Sequence, residues 1–262
     1  MPRFCANLTM LFNEVPFMER FAAAARNGFT AVEYLFPYPF PAADLAGALR
    51  EHRLTQVLHN LPAGDWAAGE RGIACLPDRR EEFRDGVDQA ITYAKALDCR
   101  LINCLAGIAS PSVDAAAARA AFVENIRYAG EKLAETGIRL LIEPINTRDI
   151  PGFYLTNTRQ ALGLIAEAGS DNVGLQYDIY HMQIMEGDVA RTIESHFKQI
   201  WHVQLADNPG RNEPGTGEIN YPFLYQWLDS LGYAGWIGCE YKPRTTTEEG
   251  LGWFREIAGQ AS

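Results

Sequence analysis

The chain has 262 residues, 47% of them hydrophobic and 21% charged, the balance of a soluble globular protein. The length suits one large α/β domain or two small ones, and no apolar run approaches the ~20 residues of a membrane helix. A formal net charge of −10 argues against a nonspecific nucleic-acid surface, which needs clustered Lys and Arg, and it requires an anionic substrate to be met by a few local cations.

Strand-like and helix-like segments alternate from end to end. Residues 3–8 read as the first strand. A helix follows, with Pro16 near its first turn and Gly28 just past its end. Phe17, Phe21, Ala24 and Ala25 mark its apolar stripe. Residues 30–35 form strand two, 42–52 a short helix, and 54–58 strand three, which ends at His59-Asn60. The insertion at 61–77 is too long for an ordinary strand–helix connection and has the character of a lid. Helix 78–97, strand 100–105, helix 114–136 and strand 138–143 come next. Helix 157–168, strand 172–178, helix 187–196 and strand 199–205 follow, and then helix 221–231, strand 236–240 and helix 247–258. Eight strand–helix units without a composition break predict a single α/β domain, a closed (β/α)8 TIM barrel. No Gly-x-Gly-x-x-Gly follows the first strand, so an open dinucleotide-binding sheet loses its main support. The first residues lack the apolar core of a signal peptide. The five cysteines are odd in number and form no Cys-x-x-Cys pair, so they read as reduced thiols and the expected location is the cytoplasm.

Leu140, Leu141 and Ile142 lead into Glu143, and Pro144 follows at once. Proline cannot donate to a ladder, so the strand stops there. Asp178, Gln204 and Glu240 close three later strands in the same manner, each about one strand–helix unit further on. Functional residues of a TIM barrel gather at the C-terminal strand ends. The four side chains therefore reach a single point over the mouth. Three carboxylates crowded there take up protons unless a cation joins them. All-oxygen ligation suits Mg²⁺ or Mn²⁺. His181, three residues after Asp178, is expected above strand six, hydrogen-bonded to a substrate oxygen, and His59 is a second expected substrate contact. His202 shares a strand face with Gln204 one layer deeper, as support for the site or as a core histidine. Arg211 and Lys242 are the candidates to hold a substrate carboxylate, and Asn7 and Asn103 line the pocket. Phe12, Tyr34, Phe36, Tyr38 and Phe40 suggest loop packing or a subunit contact, which leaves a homo-oligomer open.

Four stretches carry a family likeness. They are Leu58-His59-Asn60-Leu61-Pro62-Ala63-Gly64-Asp65-Trp66, Gln176-Tyr177-Asp178-Ile179-Tyr180-His181-Met182-Gln183, the run from Ala206-Asp207-Asn208-Pro209 to Ile219-Asn220-Tyr221, and Gly238-Cys239-Glu240-Tyr241-Lys242-Pro243. Together they resemble the hydroxypyruvate isomerase family, within the xylose-isomerase-like superfamily of sugar isomerases and epimerases. The 2-oxo-tetronate isomerases are near relatives of that family. The resemblance implies that Glu143 and Glu240 are a proton-transfer pair as well as ligands of a divalent metal. It implies a small anionic hydroxy-keto acid as substrate, with hydroxypyruvate and 2-hydroxy-3-oxopropanoate (tartronate semialdehyde) interconverted through an enediolate. A 2-oxo-tetronate or another small keto acid or sugar stays open as the substrate. Two other uses of the barrel stay open as well. An endonuclease of abasic DNA predicts more metal-binding histidines and a basic groove; the other is a sugar-binding barrel without catalysis.

Overall fold

A computed structural model describes residues 2–109 and 112–259. Nine short strands alternate with helices: β1 (Arg3–Asn7), β2 (Ala31–Glu33), β3 (Thr55–Gln56), β4 (Leu58–Asn60), β5 (Leu101–Cys104), β6 (Arg139–Ile142), β7 (Val173–Asp178), β8 (Ile200–Leu205) and β9 (Trp236–Cys239). They form one sheet in the order β3-β2-β1-β9-β8-β7-β6-β5-β4, and every pair is parallel. The third predicted strand is two pieces interrupted at Val57. Its lower piece pairs with β2 and its upper piece with β5. Across the break the Tyr34 N–H donates to the Leu58 carbonyl at 3.4 Å, and the Asn60 N–H donates to the Leu35 carbonyl at 2.8 Å. These bonds close the ring, so the nine strands make the eight staves expected of the barrel.

Parallel strands covered by helices are buried on both faces and read as apolar runs; all six residues of β7 are buried. The outer layer comprises α1 (Arg20–Arg26), α2 (Ala42–His52), α3 (Arg80–Leu97), α4 (Ala115–Ala134), α5 (Thr158–Ala168), α6 (Ile179–Met185), α7 (Val189–Ser195), α8 (Tyr221–Ser230) and α9 (Gly252–Gly259). Helical periodicity carries the packing: Phe83, Val87, Ala90, Ala94 and Leu97 form the buried stripe of α3. Side-chain caps set several starts, with Asp114 accepting from the Ala117 N–H and Asn157 from the Gln160 N–H.

Two helices depart from expectation. Residues 179–185 read as loop in the sequence but form α6, because Asp178 at the end of β7 caps it by accepting from the Tyr180 N–H at 2.8 Å. The last helix begins later than 247, after a 3-10 turn at Glu249–Leu251. Thr247 is instead buried, with its hydroxyl oxygen accepting from the Phe12 N–H and its own N–H donating to Glu14. The expected aromatic group packs loops together, Phe17 stacking on Phe40 and meeting Tyr34 edge-on. Among the described residues, no helix is long and apolar enough to cross a membrane. All five cysteines are free and buried.

Candidate active site at the mouth of the barrel

Glu143 lies one residue beyond β6, and Asp178 is the last residue of β7. Gln204 stands opposite Asp178 in the β7–β8 ladder. Glu240 follows β9 directly. All four are buried, and side-chain amides bind Glu143 and Glu240. The Asn103 amide donates to Glu143 Oε2 at 2.9 Å. Glu240 Oε2 accepts from Gln204 Nε2 at 2.7 Å and from Asn7 Nδ2 at 3.1 Å. Gln204 thus presents nitrogen to the acids, while its oxygen accepts from Gln176 Nε2 at 2.6 Å. Asp178 uses one oxygen as the helix cap. The other, Oδ2, is buried and has no hydrogen-bond partner among the described residues.

Beneath this layer lies an acid that the sequence reading missed. Glu33 ends β2 and is fully buried. It receives His202 Nε2 at 2.7 Å, Gln204 Nε2 at 2.7 Å, Asn7 Nδ2 at 3.0 Å and the Cys5 thiol at 3.4 Å. Burial alone would raise its pKa, but His202, Gln204 and Asn7 outweigh that and hold it below the usual carboxylate range. Room for this carboxylate exists because residue 238 is glycine; a Cβ there would overlap it. His202, left open between support for the site and a core histidine, is fully buried and supports the site through Glu33.

The upper acids behave oppositely. Burial lifts Glu143 well above the carboxylate range, and the charges of Glu240 and Asp178 add to the rise. Burial raises Asp178 to about 6 and Glu240 to about 8, with Arg211 pulling both back. Desolvated acids packed this closely hold protons or a cation. Glu143, Asp178 and His181 each offer a ligand atom, and these atoms lie within 4.8 Å of one another. The carboxylates of that group, together with the orphaned Asp178 oxygen, fit a divalent cation of the Mg²⁺ or Mn²⁺ kind.

His181 sits in the first turn of α6, buried and held neutral because burial pushes its pKa well below the usual value. The Asn146 amide donates to its Nδ1 at 2.6 Å, which leaves the proton on Nε2. Nε2 lies 3.6 Å from Asp178 Oδ2 and 4.0 Å from Glu143 Oε1. A cavity of about 590 Å³ opens above, lined by Glu143, Gln176, His181, Arg211, Glu240 and Lys242 on one side and by Phe36, Trp66 and Arg71 on another.

His59 does not reach this cavity. Side chains alternate along a strand, and in β4 Leu58 and Asn60 take the cavity face. The His59 ring is fully buried beside Tyr38, with burial lowering its pKa to about 4. Arg211 does line the cavity, but its Nη2 donates to Glu240 Oε1 at 2.7 Å and its Nη1 to Asp149 Oδ2 at 3.1 Å. Lys242 is exposed at the mouth, and its ammonium has no partner among the described residues. Gln176 was legible in principle, since it precedes Asp178 by two and shares its strand face. Asn146 and Asp149 lie on the loop after β6, where no periodicity marks them.

Asp207 organises the loop that carries Arg211. Buried just past β8, it accepts from the N–H groups of Asn208 and Ile219 at 3.0 Å and of Gly215 and Gly217 at 2.9 Å. Arg211 itself adopts a left-handed conformation at φ +56. Asp207→Ala is expected to cost roughly 3–5 kcal/mol, because buried N–H groups lose a charged acceptor. Urea denaturation measures it; a loss under about 1 kcal/mol would show that water replaces the carboxylate.

Residues 21–257 match the family model described as "Xylose isomerase-like TIM barrel". The chain is 56% identical over 254 residues to hydroxypyruvate isomerase of Escherichia coli (strain K12), covering 97% of this chain and 98% of that protein. It is 48% identical over 260 residues to 2-oxo-tetronate isomerase of Cupriavidus necator, covering 99% of this chain and all of that protein (100%). Among solved structures, one titled AP endonuclease, family 2, from Brucella melitensis superposes with a TM-score of 0.96 at 53% identity, covering 98% of this chain and 99% of that one. With the strand-end acids and the closed ring already in place, these likenesses make the chain a member of the xylose isomerase-like TIM barrel family.

Proposed function

We propose that the protein is an isomerase of small keto acids that interconverts hydroxypyruvate and 2-hydroxy-3-oxopropanoate (tartronate semialdehyde). The relatives named hydroxypyruvate isomerase and 2-oxo-tetronate isomerase, at 56% and 48% identity over nearly the whole chain, support that reaction class. The observation that carries the reading is the pair Glu143 and Glu240, two buried carboxyls with raised pKa that line one cavity.

The interconversion moves a carbonyl by one carbon. One carboxylate takes a proton from C3 and leaves an enediolate. A carboxylic acid returns a proton to C2, and the C3 hydroxyl proton passes to the oxygen on C2. The two glutamates suit both halves, because their coupling keeps a proton on one while the other is free to accept. His181, with its proton on Nε2, donates to a substrate oxygen. Arg211 fixes Glu240, and Lys242 adds positive charge at the mouth. Glu143, Asp178, Gln204 and Glu240 would hold a Mg²⁺ or Mn²⁺ ion, Gln204 through its amide oxygen after its amide turns over. Such an ion would supply Lewis acidity toward the substrate's oxygens.

The endonuclease reading has less support. The chain carries 33 acidic and 23 basic residues, and the cavity is walled by Trp66 and Phe36 rather than open as a duplex-sized groove. Five free thiols favour the cytoplasm as the place of reaction. The purified protein is expected to convert hydroxypyruvate to the aldehyde and, in D₂O, to place deuterium at C2 of the product. A much higher kcat/KM for a 2-oxo-tetronate would assign it to that substrate, and turnover of neither compound would remove the proposal.

A further inference from the structure

We propose that Arg71, on the long loop after β4, is the residue that receives the substrate's carboxylate. This rests on the keto-acid reading above. A carboxylate entering the cavity finds the desolvated acids Glu143 and Glu240 on one wall and needs a cation on another. Three cationic side chains line the cavity: Arg71, Arg211 and Lys242. Arg211 already has its charge paired with two carboxylates, Asp149 and Glu240. Lys242 is exposed on a flexible stem.

Arg71 differs from both. Its guanidinium lies over the Trp66 ring, 4.1 Å from the centroid. Its Nη1 donates to the Trp66 carbonyl at 3.0 Å and to the Glu70 carbonyl at 2.7 Å. Those two bonds use both hydrogens of Nη1 and fix the plane of the group. The Nε–Nη2 edge keeps its hydrogens without a partner among the described residues. That edge is the two-pronged face that matches a carboxylate. No acid of the loop competes for it. Glu70 is bound by Arg79 at 2.7 Å and by the Asp65 N–H at 2.5 Å.

The loop is braced within itself and tied to the barrel. The Gly72 N–H donates to the Ala63 carbonyl at 3.0 Å, and the Cys75 N–H donates to the Ala106 carbonyl at 2.9 Å. Gly72 has φ +111 and lies against the Leu105 carbonyl, where a Cβ would collide. Trp66 meets Phe36 at 5.1 Å, so the ring that carries Arg71 is braced from below. A preorganised guanidinium loses little freedom on binding.

The test compares Arg71→Gln, Arg71→Lys and Lys242→Gln with the parent, using glycerate and its neutral counterpart glyceramide as non-reacting ligands. Arg71→Gln is expected to weaken glycerate binding by about 10- to 100-fold by calorimetry, to leave glyceramide binding unchanged and to raise KM for hydroxypyruvate more than it lowers kcat. Arg71→Lys is expected to recover part of the loss, since it restores charge without the fork. Equal weakening of glycerate and glyceramide would mean that Arg71 only shapes the loop, and it would overturn the assignment. So would an unchanged glycerate affinity in Arg71→Gln together with a loss in Lys242→Gln. If the parent binds glycerate through Arg71 but does not turn over hydroxypyruvate, the carboxylate subsite stands and the proposed reaction falls.

Discussion

Glutamine at position 143 or 240 is expected to lower kcat by about 10²–10⁴-fold, the usual worth of a positioned proton-transfer group. The replacement keeps size and hydrogen-bonding reach while removing the proton that must move. The two variants are expected to part company in stability. Among the described residues, Glu143 has no ion pair with an Arg or Lys and the nearby His181 is neutral, and burial disfavours its charge. Glu143→Gln removes that penalty and still offers an oxygen to the Asn103 amide, so its melting temperature is expected to hold or rise. Glu240→Gln breaks the ion pair with Arg211, whose side chain is 16% exposed, and is expected to melt lower. The double variant is expected to lose little more than either single one, because the pair acts as a unit. Steady-state kinetics and thermal melts decide both points, and near-parental kcat in either single variant would leave the proton-transfer pair without support.

Stripping divalent ions with a chelator is expected to abolish turnover, and added Mn²⁺ or Mg²⁺ to restore it. The metal-free protein is expected to lose stability as pH rises between about 4 and 8. Asp178 and Glu240 have folded pKa values of about 6 and about 8, above the ~3.9 and ~4.3 of unfolded Asp and Glu. The folded chain therefore holds more protons across this window. Stability is full at the acid end and is lost as pH climbs through the folded values. Each retained proton is worth about 1.4 kcal/mol per pH unit, so the melting temperature falls by roughly 3–6 °C per unit. A bound cation replaces those protons, and the slope is expected to flatten when it is added. A level profile in the metal-free protein would mean that the acids are not desolvated as they lie here.

The eight-stave plan was legible because each parallel strand is an apolar run closed by a polar residue, and each helix carries a 3.6-residue stripe. The strand-end residues Glu143, Asp178, Gln204 and Glu240 were legible for the same reason: a carboxylate or amide ends an apolar run at regular spacing. The break at Val57 left no mark, since a strand that changes partners midway has the same composition as one that does not. Glu33 escaped notice because a strand of Ala-Val-Glu looks like any edge of a sheet; only the folded ring brings His202, Asn7 and Gln204 onto it. His59 was misjudged through its neighbour: Asn60, one residue on, takes the cavity face. Arg71 and Asp149 lie on loops whose position over the mouth is set by tertiary contacts.

The amide of Asn7 reaches Glu240 across a sequence separation of 233, and β1 is flanked by β2 on one side and β9 on the other. During synthesis the first stave therefore waits with one edge bare until nearly all the chain has left the ribosome. Exposed edges of this kind invite pairing with other chains, and a closure between such distant segments is slow. Nascent chains halted before β9 should consequently depend on chaperones and fail to bind metal, whereas the finished ring, once shut, offers neighbours no edge on which to add a strand.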